Sequence, residues 1–545
     1  MSAALRRARM TGPSSLRRKQ LSPLGRRVEV TVMRILGVLL LGGALLLALV
    51  GTPPGSPGLM PAYAQRAGGR LVIGIGSLPN TPDPHLDSTA NALPAYAAMF
   101  EKLVASDGRG GIRPVLARAW RLVDDQTWEF DLQSGVRFHN GAPLTAEDVK
   151  FTIERVLDPN TRSPWLGRIS AIERVEVVNP TRVRIVTRGP FGPLLQGLTV
   201  VDILPARYFQ ERGPTGFAAA PVGTGPFQFR EWVRADRMVF TAYPGYWRGR
   251  PRLDEVVFRA IPEDSTRVAG LETGELDVGL LIPPEQVERL RGRGLEVRAV
   301  NLGQGMVVNL RANAGGPLAN RKVRQALNYA VDKEAIHKTI LRGYGRILAG
   351  QVVGPDALGH NPTLRPYPYD PQRARQLLAE AGYPNGFEVT FNGTIGRYTK
   401  DKEIDEFIAG QLAEVGVRAR LEIVEGGVYI QRFIARQLEG MFIWAWQYFP
   451  AMDADLPLNF FGCRSVGSFF CSPAFDQLFP QSRATLDPRR RAQLLQRVAR
   501  IVREEAPAIF LVQTPGIYAV QRRVRGFEWG PDYLMSLHRT EVTGR

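Results

Sequence analysis

Five histidines and two cysteines are the residues of this 545-residue chain that most readily bind metal ions or act as nucleophiles. No two histidines have the H-E-x-x-H or H-x-x-x-H spacing that would turn both rings toward one metal ion. Two cysteines are too few for a four-thiolate zinc site. The sequence therefore predicts no metal site and no cofactor.

Motifs for nucleophilic catalysis and for phosphate binding are missing from the sequence. The G-x-S-x-G turn that exposes a catalytic serine does not occur, and neither does the G-x-x-x-x-G-K-[ST] loop that binds phosphate. We therefore predict that the protein is not an enzyme and that its chemistry is binding.

Aromatic and polar side chains around residue 446 are the clearest candidates for a binding site. Segment 441–450 reads MFIWAWQYFP, so Trp444, Trp446 and Tyr448 share one face of a predicted strand. Aromatic rings in such a row bind small organic solutes, but they also pack in protein cores. Both interpretations stay open at this point.

The net charge of +18 is concentrated near the amino terminus. Residues 1–64 contain nine basic side chains and one acid, which leaves a net charge of +10 for the other 481 residues. There, basic and acidic residues alternate, as in Glu173-Arg174, and no basic stripe is interleaved with aromatic residues. The charge distribution predicts no nucleic-acid partner.

Residues 35–50 form an uncharged, mostly apolar stretch that follows several arginines. The stretch is shorter than the roughly 20 residues of a membrane-spanning helix. The small-x-small motif Ala62-Tyr63-Ala64 follows it, as at a signal-peptidase site. We therefore predict a signal peptide over residues 1–64 and a periplasmic protein without a lipid-anchored cysteine. Translation from Met33 and an uncleaved membrane anchor are the alternatives.

The remaining chain alternates strand-like and helix-like segments, which predicts an α/β fold. Strand patterns occupy residues 71–75, 128–132 and 182–186.

Several predicted helices have recognisable ends. Thr145 with Asp148 predicts a capping box at the start of one helix. Asp370 before a proline predicts the start of another, which ends before Gly382. A third helix is predicted over residues 321–341 from its apolar face.

Six segments in chain order resemble the extracytoplasmic solute-binding proteins of the dipeptide, oligopeptide and nickel family, solute-binding family 5, which serve ABC importers. Each motif is short, and one alone would be weak support. Six motifs in the family's order, spread over the chain after residue 71, make the resemblance specific. The segments are 114–157, 221–227 (PVGTGPF), 243–247 (YPGYW), 253–256 (LDEV), 322–330 (KVRQALNYA), and 369–371 with 381–384 (YDP and AGYP).

The resemblance implies an α/β, bilobal type II periplasmic binding protein fold with an extra inserted subdomain. The first lobe would comprise residues 66–100, 196–302 and 509–545, the insertion residues 101–195, and the second lobe residues 303–508. In this family the lobes close around a solute, and the importer recognises the closed form.

Peptide-binding members of the family carry a Trp followed within two or three residues by an Asp that holds the α-ammonium group of the ligand. Here Gln447, Tyr448 and Phe449 follow Trp446 and occupy the places of that acid. Asp453 would supply a carboxylate only if its loop folds back. A free ammonium group would then lose a charge-assisted hydrogen bond of about 1.5–3 kcal/mol, which favours uncharged, capped, sugar-like or modified peptide solutes.

Three more ligand-binding residues are implied by the resemblance. His85 lies in the loop after the first strand, Thr224 in a glycine-flanked turn, and Asn309 on the strand that leads into the second lobe. A structural turn or core packing is the alternative for each of them.

Cys463 and Cys471 lie where several dipeptide-binding members of the family have a disulfide. The resemblance therefore implies that the two are bonded, and a pair of buried free thiols is the alternative.

These observations together predict a monomeric receptor that captures a peptide or peptide-like small molecule and delivers it to ABC permease and ATPase subunits. A non-peptide solute, such as an oligosaccharide or a metal chelate, is the alternative. A receptor of the same fold that feeds a chemosensor is another.

Overall fold

The computed structural model describes residues 68–463 and 469–544. The predicted signal peptide, with its apolar stretch and its cleavage motif, lies outside the described residues. Within them, no helix is both long enough and apolar enough to cross a membrane.

Strands and helices alternate through most of the described chain. The strands are β1 (Arg70–Ile75), β2 (Val104–Ser106), β3 (Ile112–Pro114), β4 (Ala117–Leu122), β5 (Thr127–Leu132), β6 (Ile172–Asn179), β7 (Arg182–Thr187), β8 (Phe227–Val233), β9 (Arg237–Ala242), β10 (Glu255–Ala260), β11 (Val278–Leu280), β12 (Glu296–Leu310), β13 (Arg346–Ile347), β14 (Phe387–Ile395), β15 (Val417–Glu425), β16 (Met441–Gln447), β17 (Ala508–Val520), β18 (Val524–Arg525) and β19 (Glu541–Val542). The helices are α1 (Leu93–Met99), α2 (Ala146–Leu157), α3 (Leu166–Ile169), α4 (Leu194–Leu198), α5 (Ala206–Ala219), α6 (Asp264–Thr273), α7 (Val287–Gly292), α8 (Arg321–Tyr329), α9 (Lys333–Ala335), α10 (Pro371–Glu380), α11 (Asp401–Glu414), α12 (Gly426–Ile434), α13 (Asp455–Leu458), α14 (Pro473–Ala484) and α15 (Pro488–Glu505).

One large sheet of eleven strands has the order β15-β14-β16-β12-β17-β11-β1-β10-β9-β8, with β13 paired to β17. The strands beyond β12 come from residues 387–447, and those beyond β17 come from residues 70–280. β12 and β17 run antiparallel and are 15 and 13 residues long, so both halves of the sheet share them. The fold is therefore α/β with two lobes that are joined by long crossing strands.

The central strand β17 explains why the two halves form one sheet. Its sequence AIFLVQTPGIYAV is almost continuously apolar, and all of its residues are buried. A strand that is covered on both faces reads as such an apolar run. Gln513 and Thr514 are its polar exceptions.

A second, antiparallel sheet has the order β4-β5-β7-β6 and falls within segment 101–195. Helix α2 packs against β6 and β7 and directs Val149, Ile153 and Val156 inward, all of them fully buried. The apolar face of α2 therefore packs this sheet into the main hydrophobic core of the protein.

Local capping signals set the starts of two helices as predicted. At α2, the Thr145 amide donates to Asp148 Oδ2 (2.8 Å) and completes the capping box. At α10, Asp370 Oδ1 accepts from the amide of Arg373 (2.8 Å). Both caps satisfy amides that the first helical turn leaves unpaired.

The prediction of a single helix over residues 321–341 is wrong. Helix α8 ends at Tyr329, and α9 begins after Asp332, whose Oδ1 accepts from the amide of Ala335 (2.9 Å). A short π-helical stretch, Ile336–Ile340, completes the segment. The Asp332 cap starts a new helix because its side chain replaces the backbone bond that a continuous helix would make.

Candidate functional site

The carboxyl ends of two parallel strands, β14 and β16, lie at the same edge of the large sheet. Strand β16 ends at Gln447, which pairs with Gln304 of the crossing strand β12, and β14 ends at Ile395. Open α/β sheets bind ligands outside the carboxyl ends of their strands. This edge, beside the crossing strands, is therefore the candidate binding site.

Trp446 and Asn309 contact each other on adjacent strands β16 and β12. Trp446 Nε1 donates to Asn309 Oδ1 (3.0 Å), and both residues are buried. The indole also stacks on Phe460, with 4.5 Å between ring centroids. The polar atoms of this pair are thus satisfied inside the protein, and a contact of either residue with a ligand stays a prediction.

Gln447 and Tyr448 lie at the end of β16, at the candidate edge. Gln447 is half-buried, whereas Tyr448 is fully buried. The Tyr448 hydroxyl accepts from the amide of Gly354 (3.0 Å) and donates to Asp356 Oδ1 (3.3 Å). Tyr448 is one of the residues that occupy the place of the expected acid. Its hydroxyl holds another acid, Asp356, beside the end of β16.

Asp453 follows in a buried turn after β16. Its carboxylate accepts two hydrogen bonds from the Arg491 guanidinium, at 2.5 and 2.9 Å, and both side chains are buried. A bidentate pair of this kind neutralises both charges. Asp453 therefore already has a partner, and its predicted role as a substitute acid for a ligand is not favoured by this geometry.

His85 is fully buried between two polar neighbours. Its Nε2 donates to the carbonyl of Asp202 (2.8 Å), so its Nδ1 is the atom that accepts from Arg155 (2.8 Å). Burial lowers the pKa of His85 to about 4, with the Arg155 charge acting in the same direction and the Asp83 charge against it. The ring is therefore neutral at pH 7 and fixes a loop.

Thr224 belongs to a buried polar centre. Its Oγ1 donates to Glu101 Oε2 (3.1 Å). The same carboxylate accepts from Tyr246 (2.9 Å) and Trp247 (2.8 Å), which come from the YPGYW motif. Burial raises the pKa of Glu101, while these donors lower it. Two motifs of the family resemblance thus meet at one carboxylate.

The predicted site residues fall into separate groups. In the described part of the chain, no hydrogen bond, ion pair or ring contact joins His85 or Thr224 to the residues at the end of β16. Hydrogen bonds bring together two predicted pairs: Trp446 with Asn309, and Asp453 with Tyr448, whose carbonyl accepts from the Asp453 amide (3.3 Å).

A cluster that the sequence analysis missed lies at the candidate edge. Arg397 follows β14, and its guanidinium carbon lies 4.8 Å from the ring centroid of Trp444 and 5.0 Å from that of Tyr398. Its Nε donates to the Tyr398 hydroxyl (2.8 Å), and Phe433 stacks on Trp444 at 4.0 Å. We call Arg397, Tyr398, Trp444 and Phe433 the Arg397 cage.

The loop that carries Arg397 is held by the side-chain carboxylate of Asp401. Asp401, at the start of α11, accepts hydrogen bonds from the amides of Gly396 (3.2 Å), Arg397 (2.9 Å) and Tyr398 (3.0 Å). Gly426 gives the side chain room, because a β-carbon there would lie 3.3 Å from the Arg397 β-carbon. The G-R-Y turn after a strand was the available sequence signal.

Tyr533 extends the candidate site toward the crossing strands. Its hydroxyl donates to Gln304 Oε1 (3.3 Å), and its ring lies 4.4 Å from that of Phe449. Burial raises the pKa of Tyr533, and Tyr398 raises it further while Arg397 lowers it. Tyr533 therefore contacts Gln304, which pairs with the last residue of β16, and Phe449, which follows that strand.

A disulfide joins Cys463 and Cys471 next to these aromatic residues. Residues 464–468 between them lie outside the described part of the chain. Phe461 before the loop and Phe469 after it lie 6.0 and 6.2 Å from the ring of Trp446. The disulfide thus ties together two segments that pack around Trp446.

No metal centre is formed by the residues that the structure describes. Among them, no group of three or more His, Cys, Asp or Glu residues is arranged to hold a metal ion.

Comparison with known proteins gives consistent relatives. Residues 111–468 match the family described as "Bacterial extracellular solute-binding proteins, family 5 Middle". The chain is 30% identical over 493 residues to the glutathione-binding protein GsiB of Salmonella typhimurium, covering 86% of this chain and 94% of GsiB.

Two solved structures are similar to the whole described fold. One is the periplasmic binding protein DppA of Helicobacter pylori in complex with the peptide STSA, with 27% identity, a TM-score of 0.76, and coverage of 88% of this chain and 99% of DppA. The other is AgaA of A. tumefacien R10 in complex with agropinic acid, with 26% identity, a TM-score of 0.75 and the same coverage.

Two lobes that share crossing strands, with an aromatic and polar edge beside them, define a solute receptor with the bilobal type II periplasmic binding protein fold and an extra inserted subdomain. The chain belongs to family 5 of the bacterial extracellular solute-binding proteins. It is the substrate-binding receptor of an ABC importer, and its relatives are binding proteins rather than enzymes. The predictions of family, fold class and receptor function are confirmed.

Proposed function

We propose that this receptor captures a small peptide-like solute that carries a carboxylate, and that Arg397 binds this carboxylate. The observation that carries the proposal is the positive charge of Arg397, which has no carboxylate partner in the described part of the chain. Among the described residues, no carboxylate lies within 4 Å of the Arg397 guanidinium, whose carbon lies 5.0 and 4.8 Å from the ring centroids of Tyr398 and Trp444. A guanidinium has five N–H donors in a planar fork that matches a carboxylate, and the Tyr398 hydroxyl uses one of them.

The solutes that these relatives bind support this chemistry. Glutathione, the peptide STSA and agropinic acid are the solutes of the relatives described above, and each has at least one carboxylate. The end of β16 lacks the acid that peptide-binding members use for the ammonium group, so the anionic end of the solute is the better supported contact.

Capture would occur by closure of two lobes. We propose residues 66–100, 196–302 and 509–545 for the first lobe, 101–195 for the insertion and 303–508 for the second lobe. The crossing strands β12 and β17 support a hinge between these lobes. Closure would remove water from the Arg397 cage and strengthen its interaction with an anion.

The remaining properties follow from this role. We propose that residues 1–64 are a signal peptide, that the mature protein acts in the periplasm as a monomer, and that it passes the solute unchanged to the permease and ATPase subunits. No catalytic step is part of the proposal.

The test is isothermal titration calorimetry of the mature protein with glutathione, the peptide STSA and agropinic acid. We expect at least one of these acids to bind to the wild-type protein. Arg397→Met should lower the affinity for that acid at least tenfold, because a charge-assisted pair is lost. The exposed Arg418 of β15 provides the matched control, Arg418→Met, which should bind as the wild type does. Equal affinities of wild type and Arg397→Met would contradict the proposal.

A further inference from the structure

Asp356 presents a carboxylate without a cation beside the end of β16. The side chain is half-buried, and its oxygens accept only from neutral donors: Gln513 Nε2, at 3.1 Å from each oxygen, and the Tyr448 hydroxyl at 3.3 Å. Burial raises the pKa of Asp356, and the more distant Arg346 lowers it. In the described chain, no Lys, Arg or His nitrogen lies within 4 Å of this carboxylate. A buried acid without a cation is costly unless a ligand supplies one.

A second acceptor without a donor lies next to it. Gln513 is fully buried, and its Oε1 has no hydrogen-bond partner among the described residues. Its Nε2 faces the carbonyls of Asn301 (3.5 Å) and Leu302 (3.1 Å) as well as Asp356. Exchange of the amide oxygen and nitrogen would bring Oε1 against these carbonyl oxygens, so the orientation is fixed by its surroundings.

Both acceptor oxygens approach Gly354 closely. A β-carbon added to Gly354 would lie 2.3 Å from Gln513 Oε1 and 2.6 Å from Asp356 Oδ1. The absence of a side chain at Gly354 is therefore what allows the loop to bring these two oxygens together.

The loop around Gly354 is rigidly attached at both ends. The amide of Gly354 donates to the Tyr448 hydroxyl (3.0 Å). Gln351 and Asn361 exchange two hydrogen bonds of 2.9 Å, from Gln351 Nε2 to the carbonyl of Asn361 and from the Asn361 amide to Gln351 Oε1. These contacts fix Asp356 at the same sheet edge as the Arg397 cage.

We propose that Asp356 and Gln513 Oε1 together bind a primary ammonium group of the solute. An ammonium group has three N–H donors, and the site offers three oxygens, of which Gln513 Oε1 has no other donor. This inference rests on the proposed function, because it assigns the second charged end of the same peptide-like solute. Asp356 would then take the place of the acid that is missing from β16. It lies on a neighbouring loop and is held in position by the Tyr448 hydroxyl.

The first experiment needs no variant. Glutathione and the peptide STSA are compared with their N-acetylated forms by calorimetry on the wild-type protein. We expect the free amine of the bound probe to bind about ten- to hundredfold more tightly than its acetylated form, the range of a charge-assisted hydrogen bond. Equal affinities would overturn the inference.

The second experiment assigns the preference to Asp356. Asp356→Asn keeps an oxygen that can accept from Gln513 and Tyr448, and a thermal melt checks that it folds. We expect this variant to lose the preference for the free amine, while Asp236→Asn, an acid in the exposed turn between β8 and β9, keeps it. A preference that persists in Asp356→Asn would overturn the inference.

The two proposals fail in different ways. Tight binding of an acetylated probe that Arg397→Met abolishes would support the carboxylate contact and overturn the ammonium contact. A preference for the free amine that persists with a probe whose carboxyl terminus is amidated, and also in Arg397→Met, would support the ammonium contact and overturn the carboxylate contact. No binding by any probe would overturn both.

Discussion

At the scale of single residues, His85 makes a prediction about pH. Its pKa of about 4 lies below the value of about 6.5 for an exposed histidine, because burial opposes the charged ring. Between these two values the unfolded chain binds a proton that the folded protein does not bind, so stability falls as the pH falls from about 6.5 to about 4.

We expect His85→Gln to make this part of the curve of melting temperature against pH less steep but not flat, because burial also lowers the pKa of His139 to about 4. The glutamine amide can donate to the carbonyl of Asp202 and its oxygen can accept from Arg155. His139→Gln provides the comparison and should reduce the slope by a similar amount. A wild-type slope that is retained in His85→Gln would contradict this explanation.

Residues in the site differ in how far the sequence predicted them. The aromatic row at 444–448 was found because its period of two is a local pattern. The roles within the row were not predictable: Trp446 is buried against Phe460, whereas the half-buried Trp444 lines the Arg397 cage. Arg397 and Asp356 were missed because each gains its significance from partners that are distant in sequence, and a single arginine or aspartate carries no signal.

At the scale of elements, the disulfide makes a prediction about stability. It joins residues that are eight apart in sequence, and closing so short a loop stabilises a protein by about 2–3 kcal/mol when the unfolded chain loses entropy. We expect the double variant Cys463→Ser, Cys471→Ser to lose this amount in urea unfolding, with a weaker near-ultraviolet signal from the rings around Trp446.

A matched measurement separates the bond from the substitutions. Wild-type protein treated with a reductant should reach the same unfolding midpoint as the double variant. An unchanged midpoint in both samples would show that the loop is held by its packing alone.

Helix ends illustrate which elements a sequence predicts well. The capping box at Thr145 and the Asp-Pro start were predicted because the signal and its target lie within four residues of each other. The break at Asp332 was missed although an aspartate was present, because the apolar face of residues 321–341 continues across it. A competing side-chain cap decides such cases, and periodicity does not detect it.

At the scale of the whole molecule, an ion pair joins the two proposed lobes. Lys400 Nζ, at the start of α11, lies 2.7 Å from Glu285 Oε1 in the proposed first lobe, and both side chains are partly exposed. Such a pair exists only while the lobes are close together. Exposed ion pairs contribute about 0.2–1 kcal/mol, which corresponds to at most about fivefold in affinity.

We expect Glu285→Gln to speed solute release up to about fivefold in stopped-flow measurements at low salt, with little effect on association. The difference should vanish at high salt because exposed charges are screened. Glu288→Gln removes an acid that pairs with Arg291 within its own helix, and it should release solute at the wild-type rate. An effect that persists at high salt would contradict the role of this pair.

The position of β17 also has a consequence for biosynthesis. This strand lies between β12 and β11, yet a ribosome makes it after every other strand of the large sheet. The two halves of the sheet cannot be joined through β17 until residue 520 has been synthesised, so the large sheet stays incomplete during nearly all of translation. Because the large sheet is completed late, the chain would still be incompletely folded during the period in which export would begin.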